Sequence, residues 1–244
     1  MTVREGRDDN PAPAIRSSDE LEGVRLKVCG LTVQPEVDAL AAHSVDFAGL
    51  WYGVPGGPAD LDLAKWRELA TATAAEDVAP VLVTFSKDAE MLREALESAP
   101  VKWVQLHGYQ TPGLVKALKR DVPGVRVLKV LHVRGQDCVE APLIGSYEKA
   151  GVDVFLFDAV AKDGRVGSTG ETLDVDYVAS VADKLTRPFL IAGGISPANR
   201  ERHEKLIAHP RYLGVDVDTN ARGDDGKIAA ENVGAISAAW KGER

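Results

Sequence analysis

The sequence predicts an α/β fold, a single (β/α)8 TIM barrel, on three observations. Eight short apolar runs recur along the chain, segments of helical character separate them, and no GxGxxG turn follows the first run. Strict alternation of strand and helix implies parallel strands covered on both faces. Eight such units in about 220 residues suit a closed barrel better than an open sheet. The open dinucleotide-binding alternative needs a glycine-rich fingerprint after its first strand, and Cys29-Gly30-Leu31-Thr32 is not one.

The runs are LKVCGL (26–31), VDFAGLWY (45–52), VAPVLVTF (78–85), VKWVQLHG (101–108), RVLKVLHV (126–133), VDVFLFDA (152–159), PFLIAGGI (188–195) and LGVDVDT (213–219). Nearly continuous apolar character is how a strand buried on both faces reads. The helical segments include PEVDALAAH, DLAKWRELATATAA, DAEMLREALESA, TPGLVKALKR and KIAAENVGAISAAWK. Met91, Leu92, Ala95 and Leu96 fall on one helical face. Asp88 and Thr111 stand where N-caps belong. Residues 1–22 are polar, contain Pro11 and Pro13 and show no periodicity. They are expected to be a disordered extension, or an arm over the barrel, ahead of one domain at 23–244.

A hydrophobic fraction of 45% among 244 residues supplies an ample core. The net charge of −8 disfavours nucleic acid and anionic membrane as partners. Two cysteines, Cys29 and Cys138, make neither a disulfide framework nor a zinc spacing. No run approaches the roughly 18–20 apolar residues of a membrane span, and the first twenty residues lack a signal-peptide core. A cytoplasmic enzyme with a small-molecule substrate, as monomer or homodimer, is the expectation, with no metal and no cofactor called for.

In a barrel of this kind the chemistry sits where strands end. Asp158 stands at the exit of the sixth run, ahead of a glycine-rich loop at 161–172 that no core requires. Cys29 closes the first run. A thiol there is either a small buried hydrophobe or a base at the rim. Strands one and six are well separated on the ring, so an acid and a base at their exits can flank a substrate, as a proton-shuttling isomerisation needs. Gln105 and His107 leave the fourth run and are expected to bind substrate, His107 being placed to hydrogen-bond a ring or carboxylate. Trp51 and Trp103 read as packing. Gly193 and Gly194 let the backbone approach an anion before Ser196-Pro197 opens a helix. Asp216, Asp218, Thr219 and Asn220 end the eighth run, beside the usual barrel phosphate site.

Six stretches, in order, resemble the phosphoribosylanthranilate isomerase family, a tryptophan-pathway (β/α)8 enzyme. They are Leu26–Thr32, Val104–Gly108, Phe155–Ala159, Gly167–Asp174, Ile191–Ile195 and Gly214–Val217. The resemblance implies a cofactor-independent Amadori rearrangement, in which an N-glycosyl arylamine becomes a 1-amino-1-deoxyketose. Cys29 matches the general base and Asp158 the general acid. That acid must keep its proton near neutrality, although at a reference value of ~3.9 only about a thousandth is protonated at pH 7. Raising it by about three units amounts to roughly 4 kcal/mol, part of which Phe155, Phe157 and a closed loop can supply by desolvation.

Three departures from the family bear on substrate grip. Its arginine after strand two, which serves the anthranilate carboxylate, is missing from Trp51-Tyr52-Gly53-Val54-Pro55-Gly56-Gly57-Pro58. Its Ser-Ser-Gly after strand eight, whose serines donate to phosphate, is replaced by Asp218-Thr219-Asn220. Glu171 stands where the family is often basic. A carboxylate in the phosphate cup repels phosphate unless Arg222, Lys227 or a helix amino terminus offsets it. These changes leave open a paralogue acting on a less anionic, non-phosphorylated N-glycosyl amine, another proton-transfer or lyase reaction, and a non-catalytic binding protein.

Overall fold

The computed structural model describes Leu21, residues 23–160 and residues 173–241. The extension, the loop at 161–172 and Glu171 lie outside the described residues, Leu21 excepted. Eight parallel strands close into one barrel: β1 (Arg25–Cys29), β2 (Phe47–Trp51), β3 (Ala79–Thr84), β4 (Trp103–Leu106), β5 (Arg126–Arg134), β6 (Val154–Ala159), β7 (Phe189–Ile191) and β8 (Tyr212–Val217). Each pairs with its successor and β8 returns to β1. The last seam is close, because a Cβ on Gly214 (φ 151°) would lie 1.8 Å from the Arg25 carbonyl oxygen. Only glycine fits there.

Around the barrel run α1 (Gln34–Ala42), α2 (Leu63–Ala75), α3 (Ala89–Glu97), α4 (Pro112–Asp121), α5 (Ile144–Ala150), α6 (Val175–Ala182), α7 (Glu204–Ile207) and α8 (Ala230–Lys241). Asp88 caps α3 by accepting from the amides of Glu90 and Met91. Thr111 makes no such bond; Pro112, preset to helical φ at the first position, starts α4 instead. The seventh run is shorter than it reads: Gly193 (φ 91°) and Gly194 (φ 63°) leave the extended region, so the strand stops at Ile191. The seventh helix is mostly a 3-10 segment, Pro197–His203, before the single turn of α7. A return of chain at Asp137–Cys138 pairs antiparallel with the end of β5 and delivers Glu140 against His132.

Period-two alternation sorts the strand residues into two cores. Leu26, Val28, Val104, Val127, Phe155 and Phe157 face the helices. Phe47, Val81, Trp103, Leu128, Val130, Val154, Leu156, Leu190 and Leu213 fill the barrel interior, and Leu21 packs against them. Toward the carboxyl ends the inward positions change character, to Lys27, Cys29, His107, His132, Asp158 and Asp216. Among the described residues no helix is long and apolar enough to cross a membrane.

Candidate active site

Cys29, Trp51, His107 and Asp158 line one cleft at the carboxyl ends of the strands, together with the loops after β7 and β8. The two sequence-predicted proton carriers are therefore brought together. Cys29 is 5% exposed and Asp158 6%. Each sits at the top of the packed interior with one side turned to the cleft.

Beneath the thiol lies a charged pair of which the sequence named Asp216 but not Lys27. Lys27 is fully buried, and its Nζ donates to both carboxylate oxygens of Asp216 at 2.9 Å. The partners are directly opposite in the β1–β8 register. Burial works against charge on both: it pushes the Asp216 carboxyl up, whereas the Lys27 ammonium is held up by Asp216 and then Cys29 in spite of burial. With two short bonds to one ammonium we read the pair as ionised. The signal for Lys27 was present: it lies two residues before Cys29, so if the cysteine faces inward the lysine must too.

Burial also pushes the Cys29 thiol up, to about 12; Lys27 pulls it down, Asp216 and Asp218 push it further up, and a hydrogen bond from Trp51 opposes them. That bond runs from the indole Nε1 to Sγ at 3.2 Å. Trp51 is thus a lining residue, and the reading of it as packing is corrected; a strand-end tryptophan on the inward parity carries that signal. Trp103 does pack, edge-on against Phe47 in the interior.

On the acid side, His107 Nε2 lies 3.3 Å from Asp158 Oδ2. It makes no well-aligned hydrogen bond, so the carboxyl keeps its capacity for a ligand. Gln105 does not line the cleft. It is fully buried below His107, and its amide Nε2 meets His107 Nδ1 at 2.8 Å, which orients the ring. The expectation that Gln105 contacts substrate is corrected to that supporting position: two residues deeper on the same face, it cannot reach the surface. His132 stands beside Asp158 in the β5–β6 register, its Nδ1 2.6 Å from Glu140.

Gly193, Gly194, Asp218, Thr219 and Asn220 form the wall of the cleft between β6 and β1. Asn220 Nδ2 donates to the Ile195 carbonyl at 2.8 Å and ties the two loops together. The Asp218 carboxylate is paired: Arg222 holds Oδ1 from Nε at 2.8 Å and from Nη2 at 2.7 Å. Arg222 also donates to the carbonyls of Gly30 and Gly226. Its guanidinium occupies the space a Cβ on Gly30 (φ 84°) would need. The charge expected to repel an anion is therefore offset by the arginine four residues on. Lys227 turns away, to Thr32 Oγ1.

Among the described residues no group of three or more His, Cys, Asp and Glu is arranged to hold a metal. What remains is a thiol, a carboxyl, a histidine and an indole around a cleft with a loop-built wall. That set can bind a small polar molecule and move protons on and off it.

The family described as N-(5'phosphoribosyl)anthranilate (PRA) isomerase matches residues 26–236. An N-(5'-phosphoribosyl)anthranilate isomerase of Synechococcus sp. (strain JA-3-3Ab) is 31% identical over 202 residues, covering 82% of this chain and 84% of its own. The phosphoribosyl anthranilate isomerase of Thermus thermophilus superposes with a TM-score of 0.71 at 23% identity, over 88% of this chain and 97% of that one. Monomers made from the dimeric enzyme of Thermotoga maritima give 0.71 at 19% identity, over 90% and 100%.

Proposed function

The chain belongs to the N-(5'-phosphoribosyl)anthranilate isomerase family, and we propose that it carries out that family's aminoaldose-to-aminoketose isomerisation with Asp158 as acid and Cys29 as base. One observation carries the assignment of roles: the two groups reach a single cleft from β6 and β1, strands separated by two others on the shorter way round the ring.

The reaction asks for one proton delivered and one removed on different sides of a sugar. Asp158 gives its proton to the furanose ring oxygen. The C1′–O bond breaks as the anilino nitrogen forms a C1′–N double bond, an iminium. The thiolate of Cys29 then takes the C2′ proton, and its electron pair neutralises the nitrogen to leave an enolamine. Loss of the 2′-hydroxyl proton and gain of one at C1′ give the ketone, so protons and electrons balance within the substrate. His107, near the Asp158 oxygen and oriented by Gln105, stands beside the acid and faces the same cleft. Lys27 supplies the positive charge that the sulfur needs once it ionises.

The phosphate of such a substrate belongs against Gly193, Gly194, Thr219 and Asn220, where Arg222 offsets Asp218. Acting in tryptophan biosynthesis, the chain works as a monomer or homodimer with a small molecule as its partner. Incubating the pure protein with phosphoribosylanthranilate and following its fluorescence tests the reading. The signal falls at a rate proportional to enzyme, and NMR identifies a 1-amino-1-deoxyketose. No turnover, alongside turnover of a non-phosphorylated N-glycosyl amine, would overturn the substrate; no turnover of either would overturn the activity.

A further inference from the structure

The sulfur of Cys29 is enclosed more specifically than a base needs for packing. Its neighbour across β2 is Gly49, where a Cβ would lie 2.6 Å from Sγ and 3.0 Å from Lys27 Nζ. The missing side chain brings thiol, ammonium and the β2 backbone together. Lys27 spends two of its donors on Asp216. The donor that reaches the sulfur with a short bond is the indole Nε1–H of Trp51, at 3.2 Å. The indole is itself held from behind, because a Cβ on Gly57 would lie 3.0 Å from both Cε3 and Cζ3 of the ring. Asp60 accepts from the Val54 amide at 3.0 Å and folds the loop that presents Gly57.

We propose that Trp51 is a positioning residue for the base, donating its indole N–H to the Cys29 sulfur and so favouring the ionised form in which the base works. The inference rests on the reading of Cys29 as base. Its physical ground is the asymmetry of the bond. A neutral thiol is a weak acceptor, and an N–H aimed at it gains little. Once the sulfur carries charge the same contact becomes charge-assisted and roughly twice as strong. The indole therefore favours the ionised form over the neutral one. The other charged groups facing the sulfur are Lys27, Asp216 and Asp218, and the two carboxylates push against ionisation. Lys27 and Trp51 are what oppose them. The ring also lines the cleft into which the thiol opens.

Replacing Trp51 by Phe keeps an aromatic ring and removes the N–H. The test is the rate at which iodoacetamide alkylates Cys29 at pH 8 without substrate, read by mass spectrometry of the Cys29 peptide. Losing the bond raises the thiol by about one unit, which lowers the thiolate fraction about tenfold; higher intrinsic nucleophilicity returns part of this, leaving alkylation about threefold slower. Phenylalanine is smaller than tryptophan, so a purely steric role predicts an unchanged or faster rate, and that result overturns the proposal. If Trp51→Phe does not fold, the indole N–H resonance of Trp51 in the otherwise wild-type protein decides. Cys29→Ala shifts that resonance and leaves those of Trp66, Trp103 and Trp240 in place; an unmoved Trp51 signal overturns the contact. Both readouts are taken without turnover. Retained isomerase activity in Cys29→Ala would instead sink the base assignment and leave the indole–sulfur contact standing.

Discussion

The two halves of the barrel interior are built from the same strands and the same inward parity, yet they hold opposite chemistry. At the amino ends Phe47, Val81, Trp103, Leu128, Val154, Leu190 and Leu213 fill the space with apolar side chains. At the carboxyl ends the inward positions become Lys27, Asp216, Cys29, His107 and Asp158, all less than a tenth exposed. On β6 the change takes one step, from Leu156 to Asp158. Burial of the upper half pushes the Asp216 carboxyl up and the Cys29 thiol up to about 12. A packed floor under a polar ceiling works against ionisation of the thiol, and Lys27 and the Trp51 indole work against the floor.

If that division holds, the two halves should fail differently when changed. The largest effect is expected at Lys27. Lys27→Met leaves Asp216 buried beside the thiol without its counter-charge, and thermal or denaturant unfolding should show a loss of about 3–5 kcal/mol. Activity should drop with it, because the charge that favours the thiolate is gone. A stable variant of near-normal kcat would dissolve the distinction between ceiling and floor.

Leu156→Ala cuts a cavity in the floor. It should cost about 2–5 kcal/mol in denaturant unfolding while kcat in the folded protein stays within a few-fold. A kcat loss far beyond that would mean the floor takes part in the chemistry directly.

The pH dependence of the thiol sharpens the comparison further. A thiol held near 12 should be alkylated about tenfold faster for each pH unit between 7 and 9, with no plateau. A plateau below pH 9 would mean the floor does not desolvate it. The linkage has the same sign: the folded value lies above the unfolded one, so this stabilising contribution is complete below about pH 8.5 and is lost as pH climbs toward 12.

The smallest effect belongs to the wall. Asp218→Asn removes a carboxylate that Arg222 already offsets. KM for phosphoribosylanthranilate should fall two- to five-fold, on the order of 1 kcal/mol or less, with kcat little changed. A rise in KM would show that Asp218 assists binding.

Much of this was legible in the sequence, for identifiable reasons. The eight runs read as strands because each is covered on both faces, and Cys29 and Asp158 stood out because they end such runs. The α5 region was not legible in detail: IGSYEKA is one short stretch, preceded by a polar hairpin whose pairing with β5 depends on tertiary contact. Lys27 shares the inward parity of Cys29 and was legible to that extent, but the carboxylate that makes its burial tolerable lies 189 positions away, on a strand that only the closed ring brings opposite. Gln105 failed the other way: it shares the inward face of His107, but two residues earlier on the strand it lies a layer deeper, under the ring. Asp218 was read as a hazard, and Arg222 was named as a way to offset it; the fold chose that solution.

The most direct measurement of the central claim is the steady-state kinetics of Cys29→Ala and Asp158→Asn on phosphoribosylanthranilate, each with its folding checked by circular dichroism. Two proton carriers across one cleft predict that each variant loses about 10²–10⁴-fold in kcat with KM within a few-fold of wild type. Either variant turning over within about tenfold of the parent rate would contradict the account, because that residue would then not be moving the proton assigned to it.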